Sequence, residues 1–157
     1  PDALVVSALV EEASGIVSQA RQLGIAQSVP IIGGNGFNSP SLIKNAGAAA
    51  EGVVVGAAWN VASTSPLNRN FVDGYTKKYG SPPDQFAAQA YAGVYIAYEA
   101  FKKAGSGEDR KAIRDALAQI KDFDTVLGKF SFTQTREAFH PPVVQTVKDG
   151  KFVVFGE

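Results

Sequence analysis

Cysteine and methionine are both absent from these 157 residues, and histidine and tryptophan occur once each. With no thiol, the chain forms no disulfide, offers no thiolate metal site and has no cysteine nucleophile. The single imidazole, His140, has no second histidine to share a zinc ion with. It precedes Pro141-Pro142 in a loop pattern, which gives a Ser-His-Asp relay little to build on and predicts a surface role. Net charge is lacking as well, since fifteen basic side chains balance fifteen acidic ones. No overall field draws in nucleic acid, an anionic membrane or an acidic substrate, and no local basic patch stands out. Long apolar runs are missing too: Gly, Ser or a charge interrupts each one well short of the roughly 20 residues that span a bilayer.

What is present is a burial-driven composition, 45% hydrophobic, on a chain long enough for a domain with a real core. Pro1-Asp2 runs directly into the Val-rich ALVVSA, with no methionine and no basic-then-apolar leader. Such an opening is expected of the C-terminal part of a longer polypeptide, any signal peptide lying on the other part.

Hydrophobic periodicity predicts a strand at 3–8 and a helix begun by Glu11-Glu12, with Ile16, Val17, Ala20 and Leu23 as its buried stripe and Gly24 as its stop. A second strand is expected at 30–33. Ser39-Pro40 then reads as an N-cap followed by proline at the first helical position, with Gly47 closing that helix and a third strand at 52–57. Strand, helix, strand, helix, strand at this spacing predicts an α/β fold, a parallel sheet with right-handed crossovers. Beyond residue 60 come a helix at 66–79, the break Ser81-Pro82-Pro83, a long helix capped by Asp84, and a further helix over 109–120. Phe86, Ala90, Tyr91, Val94, Tyr98 and Phe101 supply the expected buried stripe of the long helix. Strands are expected at 126–132 and 143–155, the latter folded at Asp149-Gly150 into a hairpin.

Two turns follow parallel strands, and in an open α/β sheet ligands bind at that carboxyl edge. The glycine-rich stretch Gly33-Gly34-Asn35-Gly36-Phe37 is one of them. It has no Gly-Lys-Ser/Thr of a phosphate loop and misses the dinucleotide spacing, so a nucleotide is not expected. Its glycines serve backbone geometry alone, or the turn presents the Asn35 amide to a solute beside a wall formed by Phe37. Ser7-Ala8-Leu9 ends the first strand at the same edge, where Ser7 meets a ligand or begins a helix cap. Trp59, just past the third strand, is either core or a ligand contact. Glu11-Glu12 and Asp122/Asp124 read as a helix start and a solvated loop rather than an acid–base pair. No metal site, cofactor or enzymatic constellation emerges.

The ordered segments PDALVVSAL, VSQARQLGI, VPIIGGNGFNSPSLIKNAG, AAEGVVVGAAW, DQFAAQAYAGVYIAYEAFKKAGS, AIRDALAQIKDFDTVLGKFSF and VVQTVKDGKFVV resemble, over essentially the whole chain, the C-terminal half of type I periplasmic substrate-binding proteins of ABC importers, in the branched-chain amino acid, amide and aromatic-acid group. The resemblance implies a Rossmann-like parallel-sheet lobe of a bilobal protein. Residues 1–58 would be a second-lobe βαβαβ segment, 59–127 a helical segment of the first lobe, and 128–157 strands returning to the second. It implies capture of a small polar solute between lobes by Ser7, Ala8, Leu9, Asn35 and Phe86, then delivery to a permease; Gly36, Phe37 and Trp59 join them as ligand-binding candidates from their places on the turn and at the strand exit. It also implies a periplasmic setting, or a lipid anchor outside a Gram-positive cell, and helix faces left bare unless the missing N-terminal half or a swapped copy covers them. Amino-acid binders of this group usually place a glutamate, which pairs with the solute's ammonium, where this chain has Asn35. An uncompensated buried ammonium is costly, so a carboxylic acid or neutral amide suits Asn35 better. A ligand-sensing domain of a receptor or regulator, a flavodoxin-like enzyme and a fragment inactive alone are the other readings.

Overall fold

The computed structural model describes residues 1–156, which form two compact units. The first comprises Pro1–Ala62 and the stretch from Pro142 onward, and the second Ser63–Pro141.

In the first unit, β1 (Leu4–Val6), α1 (Val10–Gln22), β2 (Ile31–Gly33), α2 (Pro40–Ala46) and β3 (Val54–Ala57) form the expected parallel βαβαβ run. The hairpin β7 (Val143–Lys148) and β8 (Lys151–Val154) then adds to it antiparallel, giving the sheet order β1-β2-β3-β7-β8. Asp149 and Gly150 take φ of 52° and 69°, the paired positive values of a tight hairpin turn. The Glu51 carboxylate accepts from both of their amides, at 2.9 and 3.4 Å. Ser39 caps α2 as the sequence predicts, its hydroxyl accepting from the Ser41 amide, with Pro40 at the first position and Gly47 at the end.

One face of this sheet carries the core, where Ala13, Val17 and Ala20 of α1 and Leu42 and Ala46 of α2 meet Ile31, Val55 and Ala57. The predicted α1 stripe needs correction at Ile16 and Leu23, which are exposed. Ala13 and Ser14 take their places, because small side chains let the helix approach the sheet closely. On the opposite face, register aligns Val5, Ile32, Val54, Thr146 and Val153. That row is only half-buried, and Val5 is 77% exposed. Sheets with parallel strands ordinarily have both faces covered.

The second unit contains α3 (Pro66–Tyr79), α4 (Gln85–Ala104), α5 (Arg110–Ala118) and a small antiparallel sheet of β4 (Phe123–Thr125), β5 (Gly128–Phe132) and β6 (Ala138–Phe139). Residues 128–141, read from the sequence with the closing hairpin, belong instead to this unit, where β5 pairs with β4 and β6 with β5. The hydroxyl of Ser65 and the carboxylates of Asp84 and Asp109 cap the three helices, and α3 and α4 end on left-handed Gly80 and Gly105. The stripe expected on α4 is on the wrong side. Ala88, Ala92, Ile96 and Ala100 are buried, Ile96 and Ala100 against Ala116, Ile120 and Phe130, while Phe86, Tyr91, Val94, Tyr98 and Phe101 are exposed.

The one tryptophan, Trp59, lies in the first unit and the five tyrosines, at 75, 79, 91, 95 and 98, in the second. Asp84→Ala is therefore expected to lower the stability of the second unit by about 1 kcal/mol. Tyrosine-detected urea unfolding should shift to lower denaturant while the Trp59 transition holds its midpoint. Loss of the cap without any tyrosine shift would show that the Asp84–Ala87 bond of 2.8 Å contributes nothing.

Candidate functional site

At the carboxyl ends of β1 and β2 the backbone leaves an open groove of about 710 Å3, lined by Val5 to Leu9 from the first strand and its loop and by Ile32 to Gly36 from the second. The chain reaches this edge for a local reason. β1 ends at Val6 and the helix cap is not reached until Leu9, so Ser7 and Ala8 bridge the two at the sheet rim. Ser7 is exposed there and caps nothing: the N-cap of α1 is Leu9, which makes no side-chain cap bond. After β2, Gly34 precedes a 3-10 turn at Asn35–Phe37, closed by bonds from the Phe37 amide to the Gly34 carbonyl (2.9 Å) and from the Asn38 amide to the Asn35 carbonyl (3.1 Å).

Five of the residues singled out from the sequence thus meet in one place, namely Ser7, Ala8, Leu9, Asn35 and Gly36. Asn35 is exposed on the turn, and Leu9 is 66% exposed beside it. None of the groove's lining side chains is ionisable. The wall therefore combines an apolar part, from Val5, Leu9 and Ile32, with a neutral polar part from Ser7, Asn35 and the backbone.

Phe37 and Trp59 lie elsewhere. Phe37 does not form a wall of the groove; it is fully buried in the core of the first unit, its ring lying over the Cα of Gly33. Trp59 is 3% exposed and its carbonyl, not its ring, is the notable feature: it accepts from Asn38 Nδ2 at 2.8 Å and from Gln145 Nε2 at 3.4 Å. Phe86 stands 45% exposed in the first turn of α4, in the second unit.

Sequence reasoning missed Asn38 and Gln145. Both are buried, and their amides converge on one carbonyl at the exit of β3, tying the β2 turn and β7 to it. The signal for Asn38 was its place between the aromatic of the turn and the N-cap Ser39; for Gln145 it was a polar residue amid the valines of a strand. A buried amide in such a setting needs a partner, because an unpaired one costs about 1–3 kcal/mol. Among the described residues no group of three or more His, Asp or Glu could hold a metal ion.

A profile of the family described as periplasmic binding protein matches residues 1–151. A Leu/Ile/Val-binding protein, BraC3, of Rhizobium johnstonii is 33% identical over 117 residues, which is 74% of this chain and 31% of that protein. Among solved structures, the leucine-binding protein LivK of Thermotoga maritima is 30% identical with a TM-score of 0.88, over 98% of this chain and 43% of the other. The branched-chain amino acid transporter substrate-binding protein LivJ of Streptococcus pneumoniae, in complex with isoleucine, is 34% identical with a TM-score of 0.82, over 96% and 42% respectively. The chain thus spans less than half the length of these relatives.

Proposed function

Because the chain belongs to the periplasmic binding protein family, which comprises solute-binding proteins rather than enzymes, we propose that it forms one wall of a two-lobed clamp that captures a small polar solute for an ABC permease. The observation that carries this reading is the open groove where two parallel strands end, with Asn35 and Ser7 on its rim. Lobe closure over the groove would complete a site without covalent chemistry. Membership implies an extracytoplasmic setting; we assign it to the periplasm, or to a lipid-anchored form outside a Gram-positive cell. The bare face of α4 and the half-open sheet row are assigned to cover by further polypeptide, the N-terminal half of the same protein or a swapped copy. Residues 1–62 and the closing hairpin are assigned to one lobe and 63–141 to the other.

The relatives named for leucine, isoleucine and valine favour a branched-chain amino acid. The absence of a carboxylate from the groove favours a solute without an ammonium group, since this wall offers an amino acid's cation no counter-charge. Asn35 Nδ2 would donate to a carboxylate, and with a neutral amide Asn35 would both donate through Nδ2 and accept through Oδ1. In the complete two-lobed protein, Asn35→Ala is expected to weaken solute binding more than tenfold, read by calorimetric titration with L-leucine and with benzoate, while leaving the melting temperature nearly unchanged. An unaltered dissociation constant for whichever solute binds would remove Asn35 from the site.

A further inference from the structure

The groove's two rims come from loops 27 residues apart in sequence, and one contact sets their spacing. Gly36 lies so close to the first loop that a Cβ there would fall 2.1 Å from the Ala8 carbonyl oxygen and 3.1 Å from Leu9 Cα. Its φ is not positive, so glycine is required by space rather than by backbone conformation. The obstacle is main chain, which no rotamer change can clear. Beneath it, Phe37 is seated in the same manner: a Cβ on Gly33 would meet the ring atoms at 2.3–2.5 Å. Between these two sits Gly34, where a Cβ would meet nothing within 4 Å.

We propose that Gly36 is a positioning residue for solute capture, seating the β2 turn on the Ala8 carbonyl so that Ser7–Leu9 and Asn35–Gly36 form one preformed rim with Phe37 as its keel. The inference rests on the proposed solute-binding role and adds how the site is held. A rim fixed before the solute arrives spares the ordering cost that a loose one would impose on binding. Any side chain at position 36 must separate the two loops, moving Asn35 away from Ser7.

The test is amide hydrogen exchange on the 157-residue chain. The reporters are Phe37 and Asn38, bonded within the turn, and Ala13, whose amide donates to the Leu9 carbonyl at 2.8 Å. In Gly36→Ala all three are expected to exchange at least tenfold faster, while the amides of β3 and β7 keep their rates. A general loss of stability would instead accelerate every protected amide. Gly34→Ala should leave Ala13 unchanged. Parent-like rates at the three reporters in Gly36→Ala, or equal acceleration throughout the first unit, would overturn the proposal. If that variant does not fold, the parent alone decides: the three amides should open together with one denaturant dependence, and separate openings overturn the single-rim reading. Titration of the two-lobed protein with L-leucine and benzoate keeps the outcomes apart. A parent that binds neither refutes the branched-chain amino acid and aromatic acid readings of the solute while the exchange data still judge the rim. For whichever solute binds, Gly36→Ala should weaken affinity at least tenfold, and an unchanged affinity would refute the positioning role.

Discussion

Phe37→Ala is expected to destabilise the first unit by about 3–5 kcal/mol, the range for removing a buried aromatic ring. The ring is fully buried among Ile31, Leu42, Val55 and the rest of the first unit's core, so its removal leaves a cavity whose lining is rigid sheet and helix. Trp59, 3% exposed at the exit of β3, reports unfolding of this unit without interference from the tyrosines, which all belong to the other. With a urea dependence of about 1–3 kcal/mol per molar, the Trp59 midpoint should fall by roughly 2 M. The tyrosine-detected transition of the second unit should hold its place. Gly33 supplies the sharper check. Gly33→Ala alone sets a methyl against the ring and must be destabilising, but once the ring is gone the same methyl enters the cavity. The double variant should therefore be more stable than the sum of the two single losses predicts, by a coupling of about 0.5–3 kcal/mol. Strict additivity would show that the ring and Gly33 do not share one space in solution. A Trp59 midpoint within a few tenths molar of the parent would show that Phe37 is not core.

Local chemistry made the framework legible. Ser39-Pro40 and Asp84 announce helix starts because each side chain satisfies an amide that the helix cannot, and in the structure Ser65 and Asp109 do the same for α3 and α5. Asp149-Gly150 announces a hairpin because both residues tolerate positive φ. The groove rim could also be anticipated, since parallel strands ending in Val6 and Gly33 must send their loops to the same edge. Phe37 could not be placed this way. Whether an aromatic on a turn faces solvent or core depends on what lies beneath it, and the space left by Gly33 is a tertiary fact. The same holds for residues 128–141. The strand within 126–132 was visible and β6 was not, and the choice between joining β7 and joining β4 is made by the short Val126-Leu127 connection to β4, where the Thr125 hydroxyl donates to the Gly128 carbonyl at 2.8 Å.

The α4 helix shows why periodicity fails on an element that is apolar on both sides, and it yields the second large expectation. Ala88, Ala92, Ile96 and Ala100 step by four along one face, and Tyr91, Val94, Tyr95, Tyr98 and Phe101 occupy another. A hydrophobicity count favours the larger side chains, but α5 packs on the smaller ones, since alanine lets the two helix axes approach. A helix apolar all round is ordinarily buried all round. Here the hydroxyls of Tyr91 and Tyr95 meet each other at 3.2 Å, and this bond, with some burial, raises the Tyr91 pKa above the ordinary tyrosine value. The Tyr91 ring meets that of the buried Phe71 of α3 at 4.6 Å between ring centres and a 39° tilt, at one end of the exposed aromatic surface. Such a surface on a chain by itself is expected to drive self-association at micromolar concentration and to bind a fluorescent apolar dye. Val94→Gln with Tyr98→Gln removes two of its most exposed members, at 68% and 64%, while keeping good helix formers at both sites. The double variant should weaken self-association at least tenfold in sedimentation velocity and reduce dye binding in parallel, with helical circular dichroism unchanged. A parent chain that stays monomeric at about 100 times that concentration and ignores the dye would mean that this face needs no cover, and the assignment of an N-terminal half or swapped copy to it would fall.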